Sequence, residues 1–213
     1  MQKRSSLRLL EICILAGGLS RRMGRDKARL RLGNRTMLGH IRATARAVGT
    51  ARCAVRSSQR DDPIRISART ISRDLVPRCG PLGGIFTALK TTRADAVLFL
   101  ACDMPFVSAE LLKFLLGKFN TKQSAFFTQK NRQVGFPFLI ARNKLSVVEK
   151  QIARKEFSLQ KLASILHARK LKLPRCFAGQ LRNINTPADL KRARQRSFRR
   201  RRRKETLTSK KQE

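Results

Sequence analysis

The chain alternates dense apolar runs with stretches in which apolar residues recur every three or four positions. Leu9 to Leu15 is apolar except for Glu11 and predicts a buried strand. A helix is expected from Thr36 to about Val48. Cys53-Ala54-Val55 predicts a second, short strand, and Arg69 to Ser72 a weak third. Pro81 to Leu89 sets Ile85, Phe86 and Leu89 at helical spacing behind a proline suited to a first turn. Ala96 to Ala101 is the most hydrophobic run and predicts a central strand. Ser108 is placed to cap a helix through about Phe119, with Leu111, Leu112, Leu115 and Leu116 as its apolar stripe. Beyond it, Ala125 to Phe127 and Phe136 to Ala141 predict strands, and Leu145 to Ile152 and Leu159 to Leu166 predict helices. Thr186-Pro187-Ala188-Asp189 predicts the start of a last helix: threonine cap, proline first, aspartate in the first turn.

This alternation predicts the α/β class, with a mostly parallel sheet covered by helices on both faces. A length of 213 residues suits one domain with one substantial core, and no internal repeat is present. Residues 1–195 are expected to form that domain. Residues 196–213 hold the run Arg199 to Lys204, which has nothing apolar to bury and predicts a basic, disordered tail.

Charge adds a constraint. The chain carries 49 Lys and Arg against 13 Asp and Glu, a net charge of +36. Such a surface attracts polyanions: nucleic acid, anionic lipid or phosphorylated metabolites. It also makes each carboxylate worth locating, and Asp26, Asp74 and Asp103 all fall in or beside glycine or proline motifs at predicted strand ends. Cys13, Cys53, Cys79, Cys102 and Cys176 have no CxxC spacing and read as reduced, buried thiols in a cytoplasmic protein. His40 and His167 lie in helical stretches without ligand spacing. The basic N-terminus is not read as a signal peptide, and no apolar run reaches the length of a membrane span.

Four motifs follow predicted strands, where open α/β sheets bind ligands. The first runs from Leu15-Ala16-Gly17-Gly18 through Arg21-Arg22-Met23-Gly24-Arg25-Asp26 to Lys27. Its glycines allow backbone N–H groups to approach an anion, and its cations surround it, which together suit a polyphosphate. Gly17 and Gly18 are adjacent, which excludes GxGxxG; Gly24 precedes Arg25-Asp26-Lys27 with no hydroxyl, which excludes the P-loop. The second motif is Arg73-Asp74 with Gly80-Pro81-Leu82-Gly83-Gly84, whose small residues permit close approach of a base or phosphate. The third is Cys102-Asp103-Met104-Pro105, which offers a fixed carboxylate for a hard cation such as Mg²⁺; Asp26 is a second candidate ligand. The fourth is Asn183-Ile184-Asn185-Thr186-Pro187.

With Arg22-Met23-Gly24 and Asp26-Lys27 at this offset, the first motif resembles the LxGGxSxRMGxDK signature of nucleotidyltransferases, and the four motifs in order, from about Leu9 to about Arg194, resemble the molybdenum cofactor guanylyltransferase family. The resemblance implies a single-domain, three-layer, Rossmann-like nucleotidyltransferase fold. It implies GTP as donor, since Leu15-Ala16-Gly17-Gly18 is the guanylyl form and cytidylyl relatives tend to carry Leu-Ala-Ala-Gly. It implies that Asp74 helps hold the guanosine, that Asp103 is the magnesium ligand, and that Asn183 and Asn185 serve the pterin side. Arg56 stands where guanylyl members place an asparagine, and Arg132 to Pro137 matches the family's loop only loosely.

The expected reaction is attack by the terminal phosphate of molybdopterin on the α-phosphorus of GTP, with release of pyrophosphate. It needs positioning and charge neutralisation more than covalent help. Lys27 would hold the α- and β-phosphates, Arg21 or Arg22 would offset charge on the leaving pyrophosphate, and Asp103 would hold Mg²⁺. The expected partners are GTP, molybdopterin, a molybdoenzyme or cofactor-biosynthesis protein, and non-specific nucleic acid through the basic tail. Two rivals stand beside this: transfer from CTP or to another phosphorylated acceptor, and a basic nucleic-acid-binding protein on the same fold. Phe as the sole aromatic type argues against a base-stacking platform.

Overall fold

The computed structural model describes residues 9–16, 27–50, 65–71, 73–119 and 124–195. A six-stranded sheet forms the middle layer, in the order β4-β1-β5-β7-β6-β8. Its strands are β1 (Leu9–Leu15), β4 (Arg65–Ile71), β5 (Ala96–Ala101), β6 (Ala125–Lys130), β7 (Gln133–Ala141) and β8 (Arg169–Lys172). β1 pairs in parallel with both β4 and β5, and β6 with β8; β7 alone runs against its neighbours. The sheet is therefore mostly parallel, as the alternation of elements predicts.

Period-2 alternation sorts β1 between two cores. Leu10, Ile12 and Ile14 point to the face covered by α1 (Met37–Thr50) and α3 (Ala109–Gly117). Cys13 and Leu15 point to the face covered by α2 (Pro81–Thr91), α4 (Leu145–Ala153) and α5 (Leu159–Ile165). β5 does the same, with Leu98 and Leu100 on one side and Val97 and Phe99 on the other. On the second face Phe138 of β7 stacks between Phe127 and Phe99, at ring-centroid distances of 4.5 and 5.0 Å.

The break at Glu11 in the first apolar run has a partner set. Its buried carboxylate receives the Thr92 hydroxyl and the Arg69 guanidinium. Arg69 also donates to Thr91 Oγ1 and to the Ala88 carbonyl, each at 2.7 Å, which ties β4 and β1 to the end of α2. A buried charge is tolerated when it is paired and hydrogen-bonded, as here. Burial pushes the nearby Cys13 thiol up to about 12, opposed by Arg69 and reinforced by Glu11.

Several expectations are revised. The weak third strand is the seven-residue β4, and Cys53 to Val55 lies outside the described residues. Thr36 closes a short hairpin, β2 (Arg31–Leu32) with β3 (Arg35–Thr36), and its hydroxyl accepts from the Gly39 amide at 2.9 Å, so it caps α1 rather than entering it. The strand β8 and the short helix α6 (Arg175–Ala178) are additions. His167 sits in a turn after α5, at φ 46°. Cys176 is exposed, unlike the buried Cys13 and Cys79. The cap at Ser108 is present, accepting from the Leu111 amide at 3.2 Å.

A last helix, α7, spans residues 187–195. It packs on the hairpin through a small third cluster of Leu32, Met37, Ile184, Leu190 and Ala193. Through Ile184, whose amide bonds to the Asp103 carbonyl, that cluster returns the C-terminal part of the domain to the segment just past β5.

Candidate functional site at the strand ends

Parallel pairing puts the carboxyl ends of β4, β1 and β5 side by side. The Ala16 amide donates to the Ile71 carbonyl at 2.9 Å, and the Cys102 amide to the Leu15 carbonyl at 3.2 Å. Leu15 and Ala16, Asp74, and Asp103 therefore leave the sheet along one edge. Leu15 is buried, while Ala16, Asp74 and Asp103 are half-buried. Gly17, Gly18, Arg21, Arg22 and Asp26 lie outside the described residues, as does Arg56.

Lys27 opens the short turn ahead of the hairpin and is half-buried. Its Nζ donates to Asn185 Oδ1 at 2.7 Å, a contact across 158 positions of sequence. The Ile184 amide donates to the Asp103 carbonyl at 2.9 Å. Asn185, Lys27 and Asp103 thus form one group, made from the first, third and fourth motifs. Asn183 is exposed and stands two residues before Asn185, with the buried Ile184 between them.

Asp103 is the chemically distinctive member. Its Oδ1 is shut off from solvent and has no hydrogen-bond partner. Burial pushes its carboxyl above the ordinary range, against the opposing pull of the Lys27 ammonium and of its own backbone amide. A desolvated carboxylate oxygen suits a cation that brings further oxygen ligands with it, and the lysine beside it suits a phosphate that would supply them. No three His, Cys, Asp or Glu side chains gather as a metal cluster among the described residues.

The second motif is built differently from the sequence expectation. A Cβ on Gly83 would lie 2.7 Å from the Val76 carbonyl and 2.8 Å from Asp74 Oδ2; one on Gly84 would lie 3.0 Å from Leu15 Cδ2. The small residues at the head of α2 therefore admit the Asp74–Val76 segment and the end of β1, in the space assigned above to a base or phosphate. Gly80, the N-cap of α2, has φ 55° and open space around it. The segment is further held by the Leu75 amide, which donates to Thr87 Oγ1 at 2.8 Å, while Thr87 donates to the Gly83 carbonyl at 2.8 Å. Burial raises the Asp74 carboxyl above its ordinary value. The loosely matching segment Arg132 to Pro137 forms the β6–β7 turn and the start of β7.

Two features of the site escaped sequence reasoning: the direct contact of Lys27 with Asn185, and the carboxylate of Asp189 beneath it. The spacing Thr186-x-x-Asp189 is a signal for the second, though read alone it marks only a helix start.

A family model described as MobA-like NTP transferase domain matches residues 12–172. A protein named molybdenum cofactor guanylyltransferase from Pseudomonas entomophila is 30% identical over 190 residues, 86% of this chain and 97% of that one. A probable molybdenum cofactor guanylyltransferase from Carboxydothermus hydrogenoformans is 31% identical over 185 residues, 84% and 92% of the two chains. Among solved structures, molybdopterin-guanine dinucleotide biosynthesis protein A from Archaeoglobus fulgidus superposes with a TM-score of 0.61 at 21% identity, covering 89% of this chain and 99% of that one.

Proposed function

Because the chain belongs to the MobA-like NTP transferase family and is a nucleotidyltransferase, we propose that it transfers GMP from GTP to the terminal phosphate of molybdopterin, releasing pyrophosphate. The observation that carries the reading is the buried, unpartnered Oδ1 of Asp103 beside Lys27 at the shared ends of β1 and β5. Relatives that match nearly their whole length are named for this activity.

In this reading Lys27 binds the α- and β-phosphates as a compact positive charge. Arg22, or Arg21, offsets charge on the departing pyrophosphate. The Ala16 amide is taken by the Ile71 carbonyl, so the backbone N–H groups that would reach the phosphates are those of Gly17 and Gly18. Asp74 holds the guanosine, and Asn183 and Asn185 serve the pterin side. Asp103 is the residue that holds Mg²⁺. The bound ion would neutralise phosphate charge and polarise the phosphorus. In the transfer itself an oxygen of the acceptor phosphate forms a bond to the α-phosphorus while the bond to the bridging oxygen breaks, in line. The acceptor phosphate is already ionised at neutral pH, so these residues orient and neutralise, and none is required as a general base.

The test is product analysis by mass spectrometry after incubation with Mg²⁺, molybdopterin and either GTP or CTP. The guanine dinucleotide form should accumulate with GTP. A product with CTP alone, or none with molybdopterin and GTP, overturns the assignment.

A further inference from the structure

We propose that Asp189 is a positioning residue for Lys27, acting through Asn185; the inference rests on the phosphate-binding role given to Lys27 above. A lysine ammonium sits on a flexible four-carbon stem, so its place in a site depends on what holds its end. Asn185 Oδ1 holds it here, at 2.7 Å, from the far end of the domain.

Asn185 is bracketed on both sides. Before it, the Ile184 amide is bonded to the Asp103 carbonyl, and the Ile184 side chain is buried in the cluster under the hairpin. After it, one oxygen of Asp189 gathers three donors: the Asn185 amide at 3.2 Å, the Thr186 amide at 3.0 Å and the Thr186 hydroxyl at 2.8 Å. The Asp189 amide returns a bond to Thr186 Oγ1 at 3.1 Å. An ordinary helix cap satisfies the first amides of the helix. This one also takes the amide of Asn185, which lies ahead of the cap residue and carries the lysine. Hydrogen bonds to a carboxylate are roughly twice as strong as neutral ones, which suits fixing one residue's backbone. The Thr186 hydroxyl, followed by the Asn185 amide, draws the Asp189 carboxyl below its ordinary range, so it is ionised when the enzyme works. Asp189 does not touch Lys27 in this arrangement; it sets where the Asn185 carbonyl stands.

The experiment is a double-mutant cycle on full-length protein: wild type, Asp189→Ala, Lys27→Ala and the pair, each assayed for kcat and KM with GTP. Asp189→Ala should lower kcat/KM about ten- to a hundredfold, the usual scale for removing a group that orients a ligand-holding side chain. In the Lys27→Ala background the same change should alter kcat/KM by no more than about twofold, since the group it positions is gone. Equal losses in both backgrounds would make Asp189 a helix cap only and overturn the proposal. So would an unchanged Asp189→Ala beside an impaired Lys27→Ala; that pattern leaves the proposed function standing. Unimpaired turnover by Lys27→Ala overturns both together. If Asp189→Ala does not fold, Asp189→Asn carries the cycle, because it keeps an acceptor for Thr186 and removes only the charge; its smaller loss should again vanish without Lys27.

Discussion

Asp103 combines two properties that oppose each other: it is desolvated, and its proposed work needs a charge. Asp103→Asn keeps the shape and removes the charge, so turnover with GTP should fall on the order of 10²–10³-fold, the scale for losing one preorganised electrostatic group, with the circular dichroism unchanged. Wild-type turnover at limiting Mg²⁺ would remove Asp103 from the site. Stability should move the other way. A carboxyl whose folded-state pKa is raised binds its proton more tightly when folded, so it lowers stability as pH rises from the ordinary carboxyl range through the raised value. The Asn variant lacks that loss. Its urea midpoint should exceed wild type at neutral pH, and the difference should close on acidification. Lys27→Ala should cost about 1.5–3 kcal/mol in kcat/KM for GTP, as for other hydrogen bonds to charged groups. The thiols provide a further check. Brief alkylation at pH 8 followed by peptide mapping should label the exposed Cys176 and spare Cys13, whose buried thiol is pushed up to about 12, until the chain is unfolded. The placement of Asp103 and Lys27 after β5 and β1 was legible in the sequence because the motif of each follows an apolar run. Their link through Asn185 was not, since it joins positions 158 residues apart and nothing local announces it.

Between the head of α2 and the Asp74 segment, backbone meets backbone, and glycine makes this possible. Gly83→Ala would gain about 1 kcal/mol of helix propensity. It would also place a methyl group 2.7 Å from the Val76 carbonyl, and overpacking of that kind costs about 1–3 kcal/mol. The backbone contact decides the sign: Gly83→Ala should lower the urea midpoint and weaken GTP binding by displacing Asp74. Gly80→Ala meets nothing within 4 Å and should show only the backbone cost, about 1–3 kcal/mol, because φ 55° with ψ −143° lies outside the left-handed helical well and crowds a Cβ against its own backbone. If Gly83→Ala is as stable as wild type, the segment is not held against the helix. Elements with strong apolar periodicity were readable in advance: β5 spans Ala96–Ala101 as its pattern indicates, and α2, α3, α4 and α5 stand where their stripes put them. The elements that were missed lack such a pattern. β8 reads Arg-Lys-Leu-Lys because it lies at the sheet edge, where lysine and arginine discourage pairing with another chain, and β2 and β3 are two residues each.

For the whole molecule, the charge of +36 poses a question separate from catalysis. The run Arg199 to Lys204 lies outside the described residues and outside all four site motifs. We propose that residues 1–195 suffice for transfer and that residues 196–213 supply most of any affinity for nucleic acid. Deleting the latter should leave GTP turnover unchanged. It should also flatten the dependence of RNA or DNA binding on salt, whose log–log slope counts the phosphates neutralised. Loss of turnover on truncation would make the tail part of the enzyme. Retention of the full salt slope would assign the binding to the domain's own basic surface. The fold class and layer order were readable because alternation of strand and helix leaves few topologies. The antiparallel course of β7 was not, since its pattern is the same in either direction.

The contact between Lys27 and Asn185 also has a consequence in time. A ribosome adds roughly 5–20 residues per second, so about 8–30 s separate the synthesis of the lysine from that of its partner 158 positions later. In the later part of that interval, once Ala101 is made, β1, β4 and β5 can already lie together while the lysine lacks its Asn185 contact and the proposed phosphate site is incomplete. A polypeptide released early, after β8 but before Asn185, would own the whole central sheet and yet lack the lysine's distant partner. With Lys27 in the phosphate-binding role proposed above, nucleotide turnover reports that translation has reached the far end of the domain.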